Sequence, residues 1–253
     1  MKITFLGTGT SQGIPIIGSS HPVCLSEDEK DKRLRSSVML EWDSFRYIID
    51  CGPDFRQQLL REKVQNINGI LFTHEHADHT AGLDDIRPFC HKNGDLPIYL
   101  PERIVDNFHQ RFEYVFTRTN RYPGAPSVIM ETISNQPFML GSKRILPIEF
   151  LHGKISIFGY RIDNFAYLTD LKSIEDDEKL KLNDLDVLVI NALRIEPHPT
   201  HLCLSEALAF IDELKPKRAY LTHISHRLGF HSEVQKMLPS NVFLAYDRLK
   251  VTL

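Results

Sequence analysis

No apolar run in the chain approaches the ~18 residues that cross a bilayer, so no membrane-spanning helix is expected. The opening Met1-Lys2-Ile3-Thr4-Phe5-Leu6-Gly7 reaches glycine too soon for the apolar core of a signal peptide and reads as a first strand. Cysteine is sparse: Cys24, Cys51, Cys90 and Cys203 are the four in 253 residues. That density excludes a disulfide scaffold and makes the cytoplasm the expected compartment. Linkers, internal repeats and low-complexity stretches are missing too, and the length fits one α/β domain over residues 1–253. Nor is there an excess of positive charge: 30 Lys and Arg against 33 Asp and Glu give a formal net charge of −3. The surface as a whole is therefore not built to attract nucleic acid, although a local basic patch is still compatible with that balance. Gly7-Thr8-Gly9-Thr10-Ser11-Gln12-Gly13 lacks both the Lys-Ser/Thr of a phosphate-binding P-loop and the Gly-x-Gly-x-x-Gly spacing of a dinucleotide loop. It reads instead as a tight turn that lets backbone approach a site.

What the chain does have is Thr73-His74-Glu75-His76-Ala77-Asp78-His79, four metal-capable side chains within six positions. It follows Gly69-Ile70-Leu71-Phe72, an apolar run of strand length. In extended backbone His74 and His76 point the same way, since side chains repeat every two residues. One ion cannot take all four donors from so short a segment, whereas two neighbouring ions can take two each. Imidazole nitrogen and carboxylate oxygen suit zinc or manganese. The rest of the chain alternates strand-like and helix-like segments. Strands are expected near 2–6, 37–42, 46–49, 96–100, 128–133, 145–151, 157–162, 166–168, 187–192, 219–222, 242–246 and 249–253. Helices are expected over 55–64, 80–86 and 102–116, and over 206–214 with Ser205 as N-cap.

The His-x-His-x-Asp-His pattern after an apolar strand resembles the metallo-β-lactamase superfamily. That resemblance implies a four-layer αββα sandwich and three more ligands at strand ends. His152 after 145–151, Asp170 after 165–169 and His223 after 219–222 meet that expectation. The opening loop, Leu151-His152, Phe158-Gly159-Tyr160, Leu168-Thr169-Asp170 and Leu221-Thr222-His223-Ile224-Ser225-His226 narrow the likeness. Together they resemble the superfamily's phosphodiesterase branch, above all the cyclic ribose-phosphate phosphodiesterases of the carbon–phosphorus lyase pathway. Carried over position by position, His74, His76 and His152 would hold one divalent metal; Asp78, His79 and His223 would hold the other, with Asp170 bridging. A hydroxide shared by the two ions would attack the phosphodiester.

The same resemblance implies a structural zinc on His21, Cys24 and His226. Ser19 stands where the family supplies a further ligand, leaving water, His231 or a partner chain of a homodimer to complete the site. It also places His201 at the substrate, as the acid that protonates the leaving oxygen. The implied activity is a metal-dependent phosphodiesterase acting on small or cyclic phosphodiesters. Alternatives are a ribonuclease Z-like RNA-processing nuclease, or a thiol-ester or lactam hydrolase. The one candidate nucleic-acid surface is residues 102–126, where Arg111, Arg118 and Arg121 lie among Phe112, Tyr114, Phe116 and Tyr122.

Overall fold

A computed structural model describes residues 1–117 and 119–253. Its strands are β1 (Lys2–Gly7), β2 (Ser37–Trp42), β3 (Phe45–Ile49), β4 (Gly69–Leu71), β5 (Leu96–Pro101), β6 (Val128–Ile133), β7 (Phe138–Leu140), β8 (Lys143–His152), β9 (Ile155–Ile162), β10 (Phe165–Leu168), β11 (Val187–Asn191), β12 (Arg218–Thr222), β13 (Val242–Leu244) and β14 (Lys250–Thr252). Among the described residues they form two seven-stranded sheets, ordered β14-β1-β2-β3-β4-β5-β6 and β7-β8-β9-β10-β11-β12-β13. In each sheet the first four strands pair antiparallel, and the remaining pairings are parallel. The two halves of the chain thus share one pairing pattern without an evident sequence repeat.

The sheets meet through large inward side chains. Phe5, Leu40, Trp42 and Ile49 from the first sheet pack with Tyr160, Phe165, Tyr167 and Val189 from the second. The first sheet's other face carries Leu6, Ile48, Ile70 and Ile98, covered by Phe55, Leu59, Phe89 and Phe108 from helical segments. The second sheet's other face is covered by Ala207 and Ile211 from helix Leu204–Leu214 and Val234 from helix His231–Met237. A sheet apolar on both faces must be covered on both, and this gives the expected αββα layering.

Several boundaries differ from the sequence expectation. The stretch 102–116 is a 3₁₀ turn (Glu102–Ile104) and two short helices (Val105–Arg111 and Glu113–Phe116), broken at Phe112 with ψ of 35°. After the metal run come a single helical turn, Ala77–Thr80, a 3₁₀ turn, Leu83–Ile86, and helix Arg87–Asn93, which starts with Pro88 in its first turn. The N-cap of the 204–214 helix is Cys203, not Ser205: the Glu206 carboxylate turns back to accept the Cys203 N–H at 2.8 Å, which places Ser205 inside the first turn. No helix among the described residues is long and apolar enough to cross a membrane.

One buried contact ties the sheets together at the metal run. The Tyr160 hydroxyl, on β9, donates to the Phe72 carbonyl, at the end of β4. Both residues are fully buried. Tyr160→Phe should lower the unfolding free energy by about 1–3 kcal/mol, because it leaves that carbonyl without its partner. A urea titration measures this; no shift in midpoint would show that the bond adds nothing.

Candidate metal centre

The candidate ligands all lie where strands end. His74, His76, Asp78 and His79 follow β4, His152 closes β8, Asp170 follows β10, and His223 follows β12. In open α/β sheets the carboxyl ends of parallel strands are where ligands bind. Asp170 (φ 60°) and His223 (φ 54°) are left-handed, as is Asp50 (φ 63°) after β3. Left-handed backbone is uncommon for residues with a side chain, and it clusters at functional sites. Here it reverses the chain at the strand end and turns the side chain inward.

The donors assemble into two main groups, each with ligand atoms within 4.8 Å of one another: His74, His76 and His152, and Asp78, His79 and His223. Asp170 reaches both sides: it groups with His74 and His79, and also with His152 and His201. Its carboxylate lies 3.3 Å from His79 Nε2 and 3.1 Å from His223 Nε2. These are the seven residues expected from the sequence, together in one place.

Hydrogen bonds set the tautomers. Asp50 accepts from the Thr73 N–H (2.8 Å), the Thr73 hydroxyl (2.9 Å) and His79 Nδ1 (2.7 Å). With its proton committed to Asp50, the Thr73 hydroxyl is an acceptor for His74 Nδ1 at 2.9 Å. His152 Nδ1 donates to the Thr200 carbonyl at 2.8 Å. In all three rings Nδ1 is thus committed to an outer partner and Nε2 faces the centre. His76 presents the opposite nitrogen: its Nδ1 is 3.0 Å from His74 Nε2. Outer partners of this kind orient metal-binding imidazoles. Asn191 closes the frame by accepting the Leu171 N–H at 2.7 Å, directly after Asp170.

A metal-binding role fits the buried polar atoms. His79 Nε2 and His223 Nε2 are buried among carboxylates, at 3.1 Å from Asp78 and from Asp170 respectively, without an aligned hydrogen bond. A cation among them would take the nitrogens and the carboxylate oxygens together as ligands. The charges agree. Burial opposes a proton on His79, yet Asp78, Asp170 and Asp50 outweigh it and hold its pKa well above the ordinary value. Burial disfavours charge on Asp170 too, but His223 and His79 keep its pKa well below the ordinary value. Three carboxylates are thus gathered around one point, and cationic charge belongs there.

His201 stands beside the cluster. Its Nε2 is 2.9 Å from Asp170 Oδ1, its Nδ1 is 2.9 Å from Thr200 Oγ1, and its ring stacks on His223 at 5.0 Å. Burial pushes its pKa down to about 4, against the opposing pull of Asp170. His198 Nδ1 is 3.1 Å from His201 Nδ1, so it is a neighbour of the site and not a free loop histidine.

The expected three-residue zinc site is not assembled. His21 and His226 rings meet edge to face at 4.7 Å, but Cys24 does not join them in a ligand group among the described residues. Cys24 lies in the 3₁₀ turn Pro22–Leu25 and packs in the apolar cluster with Ile14 and Val23. His231 is not a further ligand either: its Nδ1 is 3.2 Å from Arg33 Nη2.

The proposed nucleic-acid surface also changes meaning. Phe112 is buried in the core. Arg111 donates to the Glu75 carbonyl, and Arg121 donates to the carbonyls of Ala125 (3.0 Å) and Pro126. Arg118 lies outside the described residues. Arg103 adds a bidentate pair to the Glu75 carboxylate and a 2.8 Å bond to the Ser156 carbonyl. Arg111 and Arg103 thus hold Glu75, between His74 and His76, through its carbonyl and its carboxylate, while Arg121 braces the 125–126 loop. Arg103 and Asp50 went unremarked in the sequence; the alternating strand that ends in Asp50-Cys51-Gly52 was the available signal. A Cβ on Gly52 would lie 2.0 Å from the Asp78 carbonyl oxygen, so only glycine permits that approach.

Comparison with known proteins gives the class. The Beta-lactamase superfamily domain profile matches residues 45–224. The chain therefore belongs to the β-lactamase superfamily. The crystal structure of a new diphosphatase from the PhnP family is 40% identical, with a TM-score of 0.93, over 100% of this chain and 97% of that one. Zn(2+)-bound PqqB from Methylobacterium extorquens, 17% identical with a TM-score of 0.82 over the whole of both chains, shares the fold. Among curated relatives, an octanoyltransferase of Porphyromonas gingivalis is 38% identical over 99% of this chain and 51% of its own length. A ribonuclease Z of Rippkaea orientalis is 29% identical over 79% of this chain and 55% of its own. The chain thus spans about half the length of these two curated relatives.

Asp50→Asn tests the frame. Losing the carboxylate that fixes His79 and Thr73 should weaken binding of one metal by about 10–100-fold, measured by competition with a chromogenic chelator. Unchanged affinity for both ions would remove Asp50 from that role.

Proposed function

We propose that the protein is a dinuclear phosphodiesterase that hydrolyses small or cyclic phosphodiesters. The observation that carries this is the pair of three-residue ligand groups with Asp170 between them. Nitrogen and oxygen donors without thiolate suit zinc or manganese. When bound, two such ions supply an activated water and offset charge on the phosphoryl oxygens.

The protein's own residues do the rest. Asp50, Thr73 and the Thr200 carbonyl hold the rings of His79, His74 and His152 in ligating tautomers. His201 is fixed at both nitrogens beside Asp170 and lies next to His152 and His223. From there it is placed to donate a proton to the departing oxygen, a role that requires the negative charge of bound substrate to raise its pKa above the value of about 4 set by burial. Attack at a phosphoanhydride asks for the same geometry, so a diphosphate bridge is a second reading, favoured by the 40% identical diphosphatase. A small substrate is favoured over RNA because Arg111 and Arg121 are engaged internally. Acyl transfer draws no support from the octanoyltransferase, of which the chain covers 51%. The four buried free cysteines suit a reducing compartment such as the cytoplasm.

His201→Ala should lower the rate about 10²–10⁴-fold on a cyclic ribose phosphate or alkyl diester, whose alkoxide needs a proton. The loss should be much smaller on a nitrophenyl ester, with metal content unchanged. Equal losses on both would leave His201 a phosphate contact and not an acid. A diadenosine polyphosphate in the same panel separates diester from diphosphate hydrolysis.

A further inference from the structure

A cavity of about 680 Å³ lies between the segment 29–34, the face of helix Phe55–Arg61, and residues 246–250. None of its lining residues is a candidate metal ligand. Its walls carry Lys30, Lys32, Arg33, Arg61, Arg248 and Lys250 against only Glu29 and Asp247. In a chain of net charge −3, this is a concentrated positive region.

Part of that charge is neutralised and part is not. Lys32 pairs with Glu29 at 2.6 Å, Arg61 with Asp247 at 3.1 Å, and Lys250 with Glu62, behind the wall, at 3.0 Å. Arg248 is 3.8 Å from the same Glu62 oxygen that Arg61 approaches. Lys30 rests over the Tyr246 ring at 4.7 Å. The decisive residue is Arg33, 3% exposed. Its guanidinium contacts three neutral groups: the Thr8 hydroxyl at 2.8 Å, the Ala245 carbonyl at 2.5 Å and His231 Nδ1 at 3.2 Å. It reaches the Asp247 carboxylate only through the Thr8 hydroxyl. A buried cation without a direct counter-charge is costly and favours any anion that approaches. Burial pushes the Arg33 pKa down to about 10 against the pull of Asp247, Asp31 and Asp28, and burial with the Arg33 charge pushes His231 down to about 4 against Asp28 and Asp31. Arg61 Nε is a further buried donor without a hydrogen-bond partner.

We propose that this groove is a second anion-binding site, for a small molecule carrying two phosphoryl groups, with the buried Arg33 charge as its floor and Lys30, Arg248 and Lys250 as its rim. Two phosphoryl groups present several negative charges in a small volume, matching the surplus that the acids leave. The choice of phosphoryl over carboxylate chemistry rests on the proposed phosphodiesterase reading; the site itself rests on the groove.

The test is titration calorimetry with fructose 1,6-bisphosphate, and with citrate as a polycarboxylate control. The folded full chain is used in three forms: unaltered, with the metal ligands changed (His74→Ala with His223→Ala), and with the rim reversed (Lys30→Glu with Arg248→Glu). Binding of the bisphosphate should persist in the metal-ligand variant, fall at least about tenfold in the rim variant, and weaken as salt is raised. Circular dichroism and hydrolysis of a nitrophenyl diester by the rim variant establish that it is folded. Bisphosphate binding that vanishes in the metal-ligand variant, or is equal in the unaltered and rim-reversed chains, would overturn the proposal. So would an absence of binding to the unaltered chain. Citrate binding as tightly as the bisphosphate would overturn the phosphoryl assignment. An unaltered chain that binds the bisphosphate yet cleaves no phosphodiester would sink the proposed activity and leave the groove standing.

Discussion

The Asp50 carboxylate is the fixed point of the metal run. It is fully buried and accepts three hydrogen bonds, from the Thr73 N–H, the Thr73 hydroxyl and His79 Nδ1. Through them it sets the backbone as β4 ends, commits the Thr73 proton and so selects the His74 tautomer, and turns His79 Nε2 toward the centre. Burial disfavours its charge and raises its pKa in spite of His79 and Thr73. A buried carboxylate held in this way is a cost to folding. It is tolerated because it supports a cluster in which cationic charge is wanted.

The two sheets explain why such a centre can be built at all. Each runs through three antiparallel pairings and then three parallel ones. Asp50 ends β3 in the first sheet, and Asp170 follows β10 at the equivalent place in the second. Both turn at φ near 60°. One carboxylate supports the ligands from outside and the other lies among them, so one architectural position serves two roles. The Phe158 N–H to Thr73 carbonyl bond (3.1 Å) and the Tyr160 hydroxyl hold the two sheet ends in contact. The centre therefore sits on packed strands, and loops contribute chiefly the outer partners.

Much of this was legible in the sequence. The His-x-His-x-Asp-His run was read from side-chain type after an apolar strand, and periodicity indicated a mixed α/β chain. The search for His152, Asp170 and His223 at strand ends, and the four-layer arrangement, came from the family resemblance. The outer frame was not legible, because Asp50, Asn191, Thr200 and Arg103 are ordinary residues whose partners are distant in sequence. Tertiary contacts also overrode the local pattern at 102–116, where a helical spacing of aromatics became three pieces and the arginines turned to Glu75. The His21–Cys24–His226 expectation came from the resemblance alone; the His21 and His226 rings meet, while Cys24 packs in the apolar cluster and forms no ligand group with them among the described residues.

The central claim is that seven side chains on four strand ends hold two cations. Anomalous diffraction from crystals grown with zinc, and separately with manganese, measures this directly. The account predicts two peaks about 3.5–4 Å apart, one against His74, His76 and His152, the other against Asp78, His79 and His223, with Asp170 touching both. A single peak, or density at His21 and His226 with none among the seven, would contradict it.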